Sequence, residues 1–569
     1  MVNDNLEKST LYSPDLAPIP KEKRTWGLWD MAAIWVGMAV CIPTYLLASY
    51  MIKSGLTWVE ALVIIALGNL IITIPMVLNG HAGVKYGIPF PVIGRASFGT
   101  QGIHIAAVVR GIVACGWFGI QTWIGGLAFY EIWHALQGTD PNVQLDFGKF
   151  LGFFMFWLIN VYFIWKGTES IKWLEKFAAP ILIAIGVALI VWGARSTGGF
   201  GKVLTQSEQL AKPAAQIISS NDDGLQIALY PTKDNQGNIK ANAFQLSNNG
   251  GSILGPDEWQ SIDSYGQRVS LDSEVISLDI ATILSGETSL FVQYRNTAGD
   301  ASQVVAVQPE GQDASFTDKL WSYLLWLTAM VGFWATMAIS IADITRYTPT
   351  QRNQVLGQFI GLPGTMALFS FVGIFVTCAA VINFPDILIS DDAPWDPVTL
   401  LGKFENPGVV IMAQFFMIIA TLSTNIAANV IAPANAFSNI LPSKISFRMG
   451  GMITAVIGII ICPWWLLDEI SSLLLFVSGF LGPVLAIIIC DYFIIRERSL
   501  KVDQLFDHKG EYAYGGSGYN RAAMWALFLG VLTALIGLWI PALSFLYTLS
   551  WFTGFIVTFL AYYLMMRSP

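Results

Sequence analysis

The chain is long, apolar and poor in charge. It has 569 residues, of which 54% are hydrophobic and 12% are charged, with 31 Lys and Arg against 39 Asp and Glu. Because a soluble globular domain carries about twice that share of charged residues, this composition excludes a soluble enzyme and indicates a polytopic membrane protein.

Apolar windows long enough to cross a bilayer recur twelve times along the chain. About 20 apolar residues cover the hydrocarbon core, and such windows lie at 29–52, 57–79, 107–135, 150–165, 177–195, 320–342, 361–383, 408–432, 449–467, 470–495, 522–543 and 546–566. The residues before the first window include no apolar stretch, so we expect no cleavable signal peptide. Because Lys and Arg gather in alternate loops, both termini are expected to be cytoplasmic in a multi-pass protein of the inner or plasma membrane.

A glycine and a proline interrupt the first window. Gly37 and Pro43 both lie inside the apolar run AAIWVGMAVCIPTYLLA, and glycine and proline weaken the hydrogen-bond ladder of a helix. A simple kink explains either residue alone, but a break at mid-depth is also where transporters expose backbone carbonyls to an ion.

The third window places an indole and a carboxamide on one helical face. Trp117 and Gln121 are four residues apart in GIVACGWFGIQTWIGG, so they stack along the helix. An indole offers a flat apolar surface and an amide offers one donor and one acceptor. The pair therefore favours a flat heterocycle with an N–H/C=O edge over the default assignment of Trp to the interface belt.

A different composition occupies residues 200–316, between the fifth and sixth windows. Residues 201–313 contain 14 Asp and Glu against 6 Lys and Arg, and period-two runs such as SLFVQYRN alternate with turn sequences. This pattern predicts an inserted β-sandwich outside the cytoplasmic face, and its last hairpin resembles bacterial immunoglobulin-like domains. The insert either captures substrate, docks an unknown partner or is passive, and the sequence leaves these three open.

The sixth and eighth windows carry the remaining polar features. Gly332 stands beside Phe333 and Trp334, five windows after the first break, which suggests two inverted repeats with a site at the midplane. The eighth window has a neutral polar cluster at its centre, made of Thr421, Ser423, Thr424, Asn425 and Asn429. One such residue is more often glue between helices, but five within nine positions indicate a binding site.

Several long motifs, in one order, resemble the nucleobase-cation symporter family, which includes hydantoin and allantoin permeases. They are AAIWVGMAVCIPTY, NGHAGVKYGIPFPVIGRASFG, WFGIQTW, GFWATMAISIADITRY, ATLSTNIAANVIAP and GPVLAIIICDYFIIR. Within this family, the motifs most resemble those of the bacterial allantoin permeases. The resemblance covers essentially everything except 200–316.

The resemblance implies a fold and a division of the chain. We expect an all-α polytopic membrane protein of twelve transmembrane helices, a LeuT-like 5+5 inverted repeat plus two extra helices, with the inserted extracytoplasmic β-sandwich domain. The expected divisions are 1–26 (cytoplasmic segment), 27–199 (spans 1–5), 200–316 (insert), 317–497 (spans 6–10) and 498–569 (cytoplasmic loop and spans 11–12).

The resemblance also implies a substrate site. The ring would stack between Trp117 and Trp334, and Gln121 and Asn429 would read its polar edge. Cys41 stands where relatives that bind hydantoins or allantoin resemble one another in having an amide, and Phe333 stands where hydantoin permeases have glycine. Leu481, in the tenth window, is a candidate gate.

The resemblance further implies a sodium site, whose ligands would be the carbonyls of Gly37, Val40 and Ala420 and the hydroxyls of Ser423 and Thr424. No Asp, Glu, Lys, Arg or His lies near the middle of any window, and a neutral oxygen cage suits a hard monovalent cation better than a proton.

The expected function is a sodium-coupled symporter that imports a heterocycle of the allantoin, hydantoin or nucleobase class, with no other cofactor and no nucleic-acid partner. The alternatives are a proton-coupled nucleobase permease and a membrane sensor that uses 200–316 as its ligand-binding domain. An amino-acid carrier of the same fold also stays open. An intramembrane enzyme is disfavoured because the windows offer no convergent acid, base, nucleophile or metal groups.

Overall fold

The computed structural model describes most of the chain. The described residues are 9–54, 56–139, 141, 145–204, 215–221, 224–229, 241–248, 251–252, 259–261, 267–268, 276–280, 290–296, 305–306, 316–383, 397–402, 404, 406–466 and 470–567. Much of the predicted insert therefore lies outside the described residues.

Helices build the apolar part of the protein. In chain order they are α1 (Leu28–Ala39), α2 (Ile42–Lys53), α3 (Trp58–Tyr86), α4 (Phe90–Phe98), α5 (Ile103–Gln137), α6 (Phe147–Lys166), α7 (Thr168–Ser196), α8 (Phe316–Phe333), α9 (Ala335–Ser340), α10 (Ala342–Thr345), α11 (Gln351–Asn383), α12 (Pro397–Gly402), α13 (Pro407–Asn429), α14 (Ile431–Ile440), α15 (Phe447–Ile460), α16 (Pro463–Leu466), α17 (Ile470–Cys490), α18 (Arg521–Leu535), α19 (Ser544–Thr548) and α20 (Ser550–Arg567).

The number of membrane-spanning helices depends on how broken helices are counted. Within the described residues, eight helices are long and apolar enough to cross a membrane, or up to ten if each of two bent pairs is one span. Two shorter apolar segments, Ile183–Ser196 and Phe447–Ile460, coincide with the fifth and ninth predicted windows. The helical multi-span architecture is thus established, and the count of twelve stays a prediction.

The first span is broken after Ala39. Val40 (φ −80°, ψ 77°) and Cys41 (φ −140°, ψ 158°) leave the helical region, and the two halves α1 and α2 are bent by 56°. Pro43 lies in the first turn of α2, where its missing N–H has no helical partner to lose. The break therefore lies at Val40 and Cys41, and Gly37 lies inside α1.

The sixth span is interrupted at Trp334, whose backbone (φ −100°, ψ 3°) separates α8 from α9. Gly332 lies within α8, where a methyl group would collide with Ser478 Oγ. Glycine is therefore needed at 332 for close packing of α8 on α17, and the interruption follows two residues later.

Helix packing brings the broken spans together. α13 packs along α5 and also touches α1, α1 packs on α11 and α7, and α17 packs on α20 and α8. The third, first and eighth spans thus share one interior, and the sixth reaches it through α9, which contacts α5.

The described strands of the insert form two antiparallel sheets. The strands are β1 (Ala215–Asn221), β2 (Gly224–Leu229), β3 (Ala241–Asn248), β4 (Gly251–Ser252), β5 (Gln260–Ser261), β6 (Gln267–Arg268), β7 (Ile276–Ile280), β8 (Leu290–Asn296) and β9 (Val305–Ala306). The first sheet has the order β1-β2-β7-β6, and the second has β4-β3-β8-β9 with β5 paired to β3. A β-rich segment is present, and its closure into a sandwich stays a prediction.

Candidate functional site

Four aromatic side chains form a continuous chain through the bundle interior. Ring centroids are 5.3 Å apart for Trp35 and Trp334, 4.9 Å for Trp334 and Phe333, and 5.4 Å for Phe333 and Trp117. All three pairs meet edge to face, the geometry that ring quadrupoles prefer. Phe333 thus contacts both indoles that were predicted to stack on a substrate, and Trp35 is a fourth member that the sequence did not single out.

Polar atoms without partners belong to this aromatic chain or lie next to it on a helix. Trp35 Nε1, Trp334 Nε1 and, one turn along α5 from Trp117, Gln121 Oε1 are buried and have no hydrogen-bond partner within the described part of the chain. An unsatisfied buried polar atom costs about 1–3 kcal/mol. A molecule that offers one N–H and one C=O group at this place would satisfy two of these atoms and recover part of that cost.

A network of side-chain amides fixes the eighth span against the third and fourth. Asn425 Nδ2 lies 3.3 Å from Phe118 O, 3.1 Å from Thr122 Oγ1 and 3.1 Å from Asn160 Oδ1. Asn429 Nδ2 donates to Asn425 Oδ1 at 3.1 Å. The donor group of Asn429, the last residue of α13, is therefore engaged. Its side-chain oxygen Oδ1 has no hydrogen-bond partner among the described residues and is free to bind a ligand.

The broken first span meets the eighth span at the predicted ion site. Thr424 Oγ1 donates to Gly37 O at 3.0 Å, and Val40 packs against Ala420. Ser423 is also buried on α13. The structure thus brings the first and eighth spans together at Gly37, Val40, Ala420 and Thr424, and Ser423 is the neighbour of Thr424 on α13. Neutral oxygens of this kind are the donors that a hard cation takes.

Cys41 forms its side-chain contact within its own span. Its Sγ is 3.2 Å from Thr44 Oγ1, and it lines a narrow apolar cavity of about 30 Å³ together with Tyr45 and Phe369. Leu481 is fully buried on α17. Its role as a gate stays a prediction.

Arg110 is a buried charge that the sequence analysis missed. It is 1% exposed on α5, with Nε 2.7 Å from Thr336 O and 3.2 Å from Ser340 Oγ, and Nη2 3.4 Å from Ala428 O. These bonds join α5 to α9 and α13. The available signal was an arginine inside an apolar window, which requires carbonyl or acidic partners.

Comparisons with known proteins identify the family. The profile of the family described as "Permease for cytosine/purines, uracil, thiamine, allantoin" matches residues 18–220 and 288–554. The chain is 32% identical to the allantoin permease of Bacillus subtilis, over 99% of this chain and 94% of that protein. It is 31% identical to the purine-uracil permease NCS1 of Arabidopsis thaliana, over 97% of this chain and 75% of that protein.

Solved structures give the fold. Mhp1, a nucleobase-cation-symport-1 family transporter in a closed conformation with bromovinylhydantoin bound, has a TM-score of 0.67 at 23% identity, covering 98% of this chain and 95% of that chain. A Na⁺-coupled sialic acid symporter has a TM-score of 0.57 at 11% identity, covering 99% and 93%. The fold is therefore helical and LeuT-like, as expected.

Two thirds of the chain and more match the family profile, and the whole chain aligns with permeases rather than enzymes. This multi-pass membrane protein therefore belongs to the nucleobase-cation symporter family, whose members carry small heterocycles such as cytosine, uracil and allantoin.

Proposed function

We propose that the protein imports a flat, neutral nitrogen heterocycle of the allantoin, hydantoin or nucleobase class, coupled to sodium. One observation supports this most directly: Trp334 Nε1 and Gln121 Oε1, one turn along α5 from Trp117, are buried without a hydrogen-bond partner among the described residues. An acceptor and a donor next to flat apolar surfaces suit a ring with an N–H/C=O edge. Two indoles and two amides also favour such a ring over a zwitterionic amino acid.

Trp117, Trp334, Gln121 and Asn429 are the proposed substrate ligands. In the structure the ring of Phe333 touches both indoles. A substrate that stacks between Trp117 and Trp334 therefore requires Phe333 to turn aside or to form one edge of the pocket, and Phe333 is the proposed determinant of ring size. Cys41 offers a thiol where an amide was expected, so we assign it no polar contact with the substrate.

The proposed sodium ligands are the carbonyls of Gly37, Val40 and Ala420 and the hydroxyls of Ser423 and Thr424. The Thr424 bond to Gly37 O supports this, because it turns a threonine hydroxyl and an α1 carbonyl toward one point. When sodium binds, the hydrogen bond from Thr424 Oγ1 to Gly37 O would break and both oxygens would coordinate the ion. Ion binding would thereby join α1 to α13.

Alternating access is the proposed mechanism. Spans 1, 2, 6 and 7 would rock against the other spans around the shared site, with Leu481 as a gate. The proposed topology has twelve spans, cytoplasmic termini and the β-rich insert on the opposite face. Sodium binding would favour the outward-open state and raise substrate affinity, and by linkage substrate would raise sodium affinity equally.

Uptake by proteoliposomes tests this proposal. Labelled allantoin, hydantoin, uracil, cytosine and an amino acid are offered under an inward sodium gradient, and separately under an inward proton gradient with sodium absent. Sodium-driven uptake of one ring is the expected result. Uptake driven only by the proton gradient would show that the coupling ion is the proton and not sodium. Substrate binding without flux would favour a sensor.

Asn429→Ala provides the site-specific arm of this experiment. It removes the amide oxygen proposed to read the ring and also the Nδ2 donation to Asn425 Oδ1. Substrate binding should therefore be lost, while the protein still folds with stability lowered by about 1–3 kcal/mol. Asn406→Ala is a matched control, because Asn406 caps the start of the same helix α13, away from the amide network. Wild-type affinity in Asn429→Ala would refute the assignment.

A further inference from the structure

A second cavity, of about 550 Å³, lies where the N-terminal segment meets the ends of three helical segments. Its lining includes Asp15, the α6–α7 junction at Lys166, Arg346 directly after α10, Asn435 on α14, and the start of α15 with Arg448. We call it the basic pocket. It is separate from the aromatic chain and plays no part in the proposed transport chemistry.

Arg346 forms the base of the basic pocket. It is 6% exposed, and its Nε and Nη1 are buried without a hydrogen-bond partner among the described residues. Only Nη2 is engaged there, with Asp15 O at 3.0 Å and Tyr347 OH at 3.1 Å. Nε and Nη1 point to different edges of the guanidinium and are buried, so Arg346 attracts an anion in the cavity by its charge rather than by a pair of hydrogen bonds.

Two more cations stand at the rim. Lys166 and Arg448 are exposed lining residues, and neither forms an ion pair within the described part of the chain. Two carboxylates offset the charge in part, because Asp15 lines the pocket and Asp343 acts electrostatically on Arg346. Three cations against two carboxylates leave the pocket positive.

The pocket already holds one carboxylate group of the chain itself. Asp15 Oδ2 accepts a hydrogen bond from Phe447 N at 2.8 Å, at the N-terminus of the 14-residue helix α15. A helix N-terminus presents free N–H groups and the positive end of the helix dipole. The Asp15 carboxylate thus occupies the amide position at the start of α15, while its backbone oxygen accepts from Arg346 Nη2.

We propose that the basic pocket is a binding site for a compact carboxylate or phosphate anion, which lies between Lys166 and Arg448 beside the buried charge of Arg346. Asp15 competes with this anion, because its negative charge occupies the neighbouring amide position. A soluble anion and the headgroup of an anionic phospholipid share this chemistry, and the experiment separates the two sources.

The experiment measures thermal unfolding of the full-length protein in nanodiscs of neutral phosphatidylcholine. Inorganic phosphate and succinate are titrated against chloride at equal ionic strength. In the wild type, phosphate or succinate should raise the unfolding midpoint more than chloride does. Asp15→Asn keeps an oxygen for Phe447 N but removes the charge, so the apparent affinity for the anion should rise about tenfold.

Loss of the rim cations gives the opposite result. The double variant Lys166→Gln/Arg448→Gln should weaken anion binding at least about tenfold, and it should fold normally because both side chains are exposed. Lys444→Gln/Arg352→Gln is the matched control, since it also removes two exposed cations, outside the basic pocket. Equal affinities in the two double variants would overturn the proposal.

Nanodiscs that contain phosphatidylglycerol separate the two sources of anion. A rise in the wild-type midpoint with this lipid, absent from Lys166→Gln/Arg448→Gln, identifies a lipid headgroup as the anion. A response to phosphate in neutral nanodiscs alone identifies a soluble anion. No response to phosphate, succinate or phosphatidylglycerol in either the wild type or Asp15→Asn would refute the site.

Discussion

Thr424→Val tests whether the meeting point of the first and eighth spans binds sodium. The change replaces a hydroxyl by a methyl group of nearly equal size, so the main loss is the hydrogen bond to Gly37 O at 3.0 Å. Thr421→Val is the control, because Thr421 lies one turn earlier on α13, is 1% exposed, and has no partner for Oγ1 among the described residues.

The two variants should differ in stability and in sodium binding. A hydrogen bond between membrane helices contributes about 0.6 kcal/mol on average and up to about 1.7 kcal/mol. Thr424→Val should therefore destabilise the protein by about 1 kcal/mol, whereas Thr421→Val should be neutral or slightly stabilising because it removes an unsatisfied group. Loss of a residue that supports a metal ligand weakens metal affinity by about 10–100-fold. Loss of Thr424, a proposed direct ligand, should weaken sodium binding at least as much.

The assay measures substrate binding to purified protein as a function of sodium concentration. In Thr424→Val the half-saturating sodium concentration should rise by that factor, while substrate affinity at saturating sodium changes little. In Thr421→Val it should stay at the wild-type value. A wild-type sodium dependence in Thr424→Val, or an equal loss in both variants, would refute the proposed ion site.

Four further predictions concern other parts of the protein. Trp117→Ala should weaken substrate binding roughly tenfold to hundredfold in equilibrium binding, because stacking of a ring on an aromatic side chain contributes about 1–3 kcal/mol. Phe333→Ala should admit bulkier rings, and competition by substituted hydantoins no better than in the wild type would contradict this. Arg110→Met should lower stability by about 3 kcal/mol in chemical unfolding, since hydrogen bonds from a charged group are lost. Glu511 accepts a hydrogen bond from Lys501, which holds its pKa below the ordinary value. Its stabilisation, below about 1 kcal/mol at this exposed site, is complete above the unfolded pKa of about 4.3 and is lost as the pH falls through the lower folded pKa. The unfolding midpoints of wild type and Glu511→Gln should therefore differ at pH 7 and converge in acid.

The sequence predicted features that depend on spacing and on residue type along one helix. Trp117 and Gln121 share α5, a break occurs in the first span just before Pro43, and another occurs at Trp334, two residues after Gly332. Each follows from helix periodicity or from the backbone preferences of proline and glycine. The polar cluster of the eighth window was likewise visible as composition.

Features that depend on which helices touch could not be predicted from the sequence. The contact of Phe333 with Trp117 requires the mutual position of α5 and α8, and no periodicity within one helix encodes it. Asn425 was only one of five polar residues, and its place at the centre of the amide network follows from Asn160 on α6. Arg110 was overlooked because its partners are mostly backbone carbonyls, which every sequence offers at every position.

Arg110 and Asn425 would connect the proposed substrate site with the proposed helix movement. Asn429 ends α13, and its side-chain amide donates to Asn425 Oδ1. The neighbouring residue Ala428 offers its backbone carbonyl to Arg110. Arg110 also donates to Thr336 O, two residues after the interruption of the sixth span at Trp334. One guanidinium thus joins the sixth span near Trp334 to the end of α13 near Asn429, and these two residues are proposed substrate ligands. In the proposed alternating access, a shift of α9 would therefore stretch the Arg110 bonds or move Ala428 and Asn429 with it, so we expect the two sides of the proposed site to close together rather than independently.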